Sequence, residues 1–129
     1  MNGFVTLRVY STAEWRALLD LDRRAKYAYI DGFEVPKASL RMRLFLSAKP
    51  GRGLICAQCG RKATRILLQR PAKPHWCYPP QRAWFYPYSD DAVMLTRDHI
   101  VPKALGGKNI STNMQTLCLP CNASKADRP

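Results

Sequence analysis

"MLTRDHIVPKALGGKNISTNMQTLCLPCNASKADR" (94–128) is the stretch whose reading decides the fold. Together with the two residues before it, "AVMLTRDHIV" (92–101) predicts a strand that ends in an acid and a histidine. Gly106-Gly107 reads as the turn of a hairpin, "NMQTLC" (113–118) as a returning strand and "LPCNASKADR" (119–128) as a short helix. The sum is a β-β-α unit, with Cys118 and Cys121 at the join between second strand and helix. Asp98-His99 closes the first strand, and His99 is one of only two histidines in the chain.

The cysteines frame this unit. Of five in the chain, four fall in two pairs, "CAQC" (Cys56, Cys59) and "CLPC" (Cys118, Cys121). Two residues between thiolates let both sulfurs reach one ion at about 2.3 Å through a tight turn. Two such knuckles predict a closed, structural four-cysteine zinc site, with disulfides the weaker alternative in a reducing compartment. The gap from Cys59 to Cys118 far exceeds the roughly 15–20 residues of a compact zinc ribbon, so the metal would staple two ends of something larger. Cys77 lies beside His75 and Trp76 in a proline-rich stretch, with no partner at useful spacing; Cys77 and His75 read as packing or surface residues.

At 129 residues and 47% hydrophobic content the chain suits one globular domain with a short appended segment. It contains no apolar run of about 18 residues and no secretory leader at "MNGFVTLRVYSTAEW", so a cytoplasmic protein is expected, with no membrane partner. The net charge is +12. After Glu34 the next acid is Asp90, and between them stand Lys37, Arg41, Arg43, Lys49, Arg52, Arg61, Lys62, Arg65, Arg70, Lys73 and Arg82. Such a stretch is either a solvated basic face or a footprint for phosphate backbone; the second reading points to nucleic acid.

Outside the motif the sequence carries packing signals. "FVTLRVY" (4–10) alternates Val5, Leu7 and Val9 against Thr6 and Arg8, as a strand does. "STAEWRALLDLDRRAKYA" (11–28) predicts a helix opened by a Ser11/Glu14 capping box. "PKASLRMRLFLSA" (36–48) is ambiguous: Leu40, Met42, Leu44 and Leu46 alternate like a strand, while Pro36 at a first-turn position and good helix formers favour a helix, which is the expectation; "KPGRG" (49–53) reads as a turn. "RPAKPHWCYPPQRAWFYPYSDD" (70–91) holds prolines that forbid a regular helix or central strand; a structured loop is expected, its aromatics packed on the core or stacked on bases.

"CAQCG", "DHIVPKALGGKN" and "NMQTLCLPCNASKADR" together resemble the HNH, or ββα-metal (His-Me finger), endonucleases, in the subgroup with a four-cysteine structural zinc. The resemblance covers about residues 36–129. It implies an α+β fold: a zinc-stapled HNH domain at 36–129 with an insert at about 70–91, preceded by a strand-helix extension at 1–35. It implies that Asp98 and Asn122 ligate Mg²⁺ or Mn²⁺, that His99 is the general base, and that Asn113 holds the His99 strand and ring in place. Lys125 and Arg128 would contact phosphates, with Arg97 and Lys103 expected to bind nucleic acid beside them. The family often has histidine where Asn122 stands, so this is an HNN version, and commonly glycine where Ala126 stands.

The chemistry agrees: only His99 in the motif has an ordinary pKa near neutrality, and a carboxylate with an amide oxygen suits a hard cation. In a regular strand, however, neighbours 98 and 99 point to opposite faces. The implied function is metal-dependent hydrolysis of DNA phosphodiester bonds, nicking or double-strand cutting, in a phage- or mobile-element-type nuclease. The alternatives are a non-catalytic zinc-containing nucleic-acid-binding module and an accessory subunit of a larger nuclease or packaging complex. The motif leaves RNA open as a substrate.

Overall fold

Strand β4 (Ala63–Pro71) organises the first half of the chain. Its apolar residues Ala63, Ile66 and Leu68 are buried, and it runs between β1 (Phe4–Ser11) and β5 (Trp84–Ser89) in an antiparallel three-stranded sheet. The structure is a computed structural model that describes residues 3–73, 79–126 and 128–129; His75 and Cys77 lie outside the described residues. Between β1 and β4 come α1 (Thr12–Asp20), the hairpin β2 (Tyr27–Ile30) and β3 (Phe33–Pro36), and α2 (Leu40–Leu46). The chain then forms β6 (Leu95–His99), β7 (Met114–Cys118) and α3 (Leu119–Lys125), the expected β-β-α unit. The architecture is α+β.

One core joins these parts. Trp15 and Leu19 of α1, Met42, Leu44 and Phe45 of α2, Ile66 and Leu68 of β4, and Phe85 of β5 pack in the same buried cluster as Leu95, Met114 and Leu117 of the β6–β7 hairpin. Each large side chain so buried contributes about 1.5–3 kcal/mol of transfer free energy. β1, at the start of the chain, is thereby part of the sheet that carries the hairpin's packing partners.

Several expectations are corrected. The capping box at Ser11 and Glu14 forms, but α1 stops at Asp20 rather than running to Ala28. Residues 27–36 instead make a hairpin whose Asp31-Gly32 turn has both φ values positive (52° and 83°), the geometry that Asp-Gly favours. Val5 and Val9 are exposed while Leu7 and Tyr10 pack on the core. The register shifts between Thr6 and Arg8, and the extra residue, Leu7, reverses the alternation.

Pro36 ends β3, and Ser39 caps α2 by accepting a hydrogen bond from the Met42 amide. The proline-rich stretch is not all loop: residues 84–89 form β5 despite Pro87. β5 is an outer strand of its sheet, where a missing N–H is tolerated. Buried Phe85 and Pro87 alternate there with half-exposed Trp84, Tyr86 and Tyr88.

The double glycine is not a hairpin turn either. Fourteen residues separate β6 and β7 (100–113), and they wind through short 3₁₀ turns at Lys103–Leu105 and Ser111–Asn113. Gly106 ends the first turn with φ of 89°. Gly107 donates its N–H to Pro102 O, and a Cβ there would stand 1.7 Å from Val101 O and 2.8 Å from Pro102 O. Those are backbone atoms, fixed by the loop. Gly107→Ala is therefore expected to cost about 3 kcal/mol, read as a lowered urea midpoint, whereas Ala substitution at the neighbouring exposed Lys108 should leave the midpoint unchanged.

Candidate active site and thiol cluster

The first knuckle is a turn closed by its own backbone. Cys56 N donates to Arg61 O at 2.8 Å and Gly60 N to Cys56 O at 3.0 Å. The second knuckle comes from the end of β7 and the first turn of α3, where Pro120 suits a helix start. The two meet: the sulfurs of Cys56, Cys59, Cys118 and Cys121 all lie within 4.8 Å of one another, with Cys59 Sγ and Cys118 Sγ 3.7 Å apart. An ion bound tetrahedrally at about 2.3 Å requires sulfurs about 3.8 Å apart, so the four soft donors fit one zinc ion.

The thiols are unequal. Burial raises the Cys56 pKa, but N–H groups at Cys118, Cys59 and Gln58 outweigh it and bring the value down to about 6. Cys121, which shares hydrogen bonds with Cys118 first and is also desolvated, is pushed up to about 12. Arg61 Nη1 stands 3.6 Å from Cys118 Sγ, a cation against the cluster.

Pairing in register, β6 and β7 set Asp98 opposite Gln115 and His99 opposite Met114. Asp98 is buried, and its Oδ2 accepts from Gln115 Nε2 at 2.9 Å and from Lys125 Nζ at 2.9 Å. Lys125 also donates to His99 O at 2.8 Å, so one ammonium reaches both members of the Asp98-His99 pair. One turn earlier on α3, Asn122 Nδ2 donates to Thr96 Oγ1 at 2.8 Å. Thr96 and Asp98, two apart on the strand, thus both face α3.

The His99 ring takes a different partner: its Nε2 lies 3.1 Å from Asn109 Oδ1. Asn109 was missed in the sequence; its only signal there is its place just after the glycine pair of the motif loop. Asn113 clamps that loop. Its Oδ1 accepts from Val101 N at 2.9 Å, and its Nδ2 donates to Val101 O at 3.1 Å and to Lys108 O at 2.9 Å. It holds the chain after His99, while the ring itself is met by Asn109.

The expected phosphate contacts divide. Arg128 folds back on α3, donating to Lys125 O at 3.2 Å and to Ser124 O. Lys103 is exposed on the motif loop. Arg97 lies away from α3, lining a hollow with Arg41 and Tyr86. Ala126, where the family commonly has glycine, sits at φ 49° and ψ −125°, a backbone region that favours glycine; its N–H closes α3 on Asn122 O at 3.0 Å.

This geometry can be set beside known proteins. Residues 89–128 match the family model of HNH endonucleases. The matched segment is similar to that family and contains β6, β7 and α3 entire. The four-cysteine cluster fits the zinc-bearing subgroup of the resemblance. No curated protein and no solved structure matches the chain. An HNH segment points to nucleic acid as substrate and to divalent metal as cofactor. Among the described residues no helix is long and apolar enough to cross a membrane.

The Asp98–Lys125 pair has side-chain exposures of only 9% and 13%. Removing one partner would strand a buried charge. Lys125→Met is expected to cost about 3 kcal/mol in urea unfolding, and the Lys125→Met/Asp98→Asn double variant to regain most of it.

Proposed function

We propose that the protein is a metal-dependent HNH endonuclease that hydrolyses DNA phosphodiester bonds, nicking or cutting both strands, and that it is of phage or mobile-element type. The observation that carries this reading is the coincidence of the matched segment, 89–128, with a β-β-α unit on which Asp98, His99, Asn113 and Asn122 all stand. DNA rather than RNA is favoured only as the usual substrate of the resemblance; the +12 charge serves either.

His99 is the base. If Asn109 Oδ1 accepts from Nε2–H, the Nδ1 lone pair is left to take a proton from the attacking water. Asn113 fixes the chain next to it through both Val101 groups. Asp98 and Asn122 offer carboxylate and amide oxygens to Mg²⁺ or Mn²⁺, which when bound supplies charge neutralisation at the phosphate. Asn122 donates its nitrogen to Thr96, which leaves Oδ1 to serve as that oxygen. The water's oxygen bonds to phosphorus and the 3′ oxygen departs, leaving 5′-phosphate and 3′-hydroxyl ends. Lys125, already on Asp98, must shift or share the carboxylate when the cation enters. The four-thiol cluster holds a structural zinc.

That ion pair favours a second reading, a zinc-containing nucleic-acid-binding module without turnover, because Asp98 already has its cation. A supercoiled-plasmid assay decides. With Mg²⁺ or Mn²⁺ the wild type should nick or linearise the plasmid. His99→Ala should lower the rate by about 10²–10⁴ while binding DNA as before, and Asp98→Ala should lose activity together with catalytic metal. Binding of DNA without cleavage of DNA or RNA under any divalent metal would establish the second reading.

The cluster has its own test. Elemental analysis should find one zinc per chain, and a strong chelator should unfold the protein, since such ions contribute on the order of 10 kcal/mol to folding. A zinc-free protein with unchanged circular dichroism would overturn the assignment.

A further inference from the structure

A second feature lies across β6 from Asp98. Thr96 and Asp98 face α3; alternation sends Leu95 and Arg97 the other way, where Arg97 borders a hollow of about 360 Å³ with Ser39, Arg41, Trp84 and Tyr86. Two guanidinium groups share this space. Arg41 stacks over Tyr86, 4.5 Å from the ring centroid, and Tyr86 is backed in turn by Phe4 at 5.2 Å. The Arg41 Nε is closed off from solvent and has no hydrogen-bond partner among the described residues. Elsewhere the basic stretch is partly neutralised, Arg82 by Glu34 and Arg61 by Asp91. Arg41 and Arg97 have no ion pair with any acid among the described residues.

Two cations facing one pocket without a counter-charge are unfavourable unless an anion joins them, and the planar guanidinium fork matches phosphate oxygens. The hollow is at the small end of the roughly 300–1,000 Å³ of ligand sites, with room for a phosphate and its sugar. We propose that Arg41 and Arg97 form a subsite for a backbone phosphate of the nucleic-acid substrate, adjacent to the phosphate presented to His99. Its position relative to the scissile bond rests on the nuclease reading; its phosphate binding does not. Arg97 and His99 are two residues apart on one strand, about 7 Å, or roughly two nucleotide rises of about 3.4 Å. Of the two arginines only Arg97 belongs to the matched HNH segment; Arg41, Trp84 and Tyr86 come from α2 and β5, outside it.

The test uses full-length protein carrying His99→Ala, so that Mg²⁺ can be present without cutting, and a short fluorescein-labelled DNA duplex titrated over a range of salt. Arg41→Gln and Arg97→Gln should each weaken binding about tenfold and reduce the slope of log affinity against log salt by about 0.9, one lost phosphate contact. Arg97→Lys should restore the slope and only part of the affinity. Unchanged affinity and slope in a folded Arg97→Gln protein would overturn the subsite, as would a parent that does not bind DNA. Should Arg41→Gln fail to fold, Arg97→Gln decides alone, because that side chain reaches the surface. Plasmid cleavage by the wild type is scored separately. Cleavage with an unchanged slope sinks the subsite and spares the nuclease; a lost slope without cleavage does the reverse.

Discussion

The rest of the candidate site depends on the bond network between β7 and the first knuckle. Four sulfurs from positions 59 residues apart at their nearest pair converge within reach of one ion, and the backbone agrees with them. Thr116 is wholly buried; its N–H donates to Gly51 O, its carbonyl accepts from Ala57 N, and its hydroxyl donates to Gly53 O at 2.7 Å. Arg52 adds bonds to Ser111 and Met114. With β7 so fixed, the β6 register is fixed too, and with it the faces on which Asp98 and His99 emerge. A slip of one residue would exchange those faces.

β6 is thus a divider. One face, through Thr96 and Asp98, is tied to Asn122 and Lys125 of α3. The other, through Leu95 and Arg97, is turned to the core and the arginine hollow. The opposition that alternation imposes on neighbours 98 and 99 is not abolished; Lys125 bridges it by holding the carboxylate of one and the carbonyl of the other.

What could be read from the sequence was what depends on fixed spacing. The knuckles, the two strands of the motif, α3 and the capping box of α1 follow from short local patterns. What escaped depends on long-range pairing. Nothing local in "FVTLRVY" announces the extra residue opposite β4 that turns Val5 and Val9 outward. Pro87 argued against a strand because nothing in the sequence says that β5 lies at a sheet edge. Asp31-Gly32 is a local turn signal, but the short strands on either side of it lie at the end of a helical pattern that does not announce them. At the candidate site, Asp98, His99, Asn113 and Asn122 are what the resemblance implies, whereas Asn109 and the pairing of Lys125 with Asp98 are properties of a folded loop and helix face.

The separation of the knuckles also has a meaning in time. On a ribosome adding roughly 5–20 residues per second, a gap of 59 positions takes about 3–12 s to cross. During that interval Cys56 and Cys59 have left the tunnel without their partners. The backbone bonds from Cys56 to Arg61 and from Gly60 to Cys56 let this turn form alone. The early knuckle can therefore wait in its final shape, a half-built clasp into which the late one, carried on β7 and α3, has only to dock.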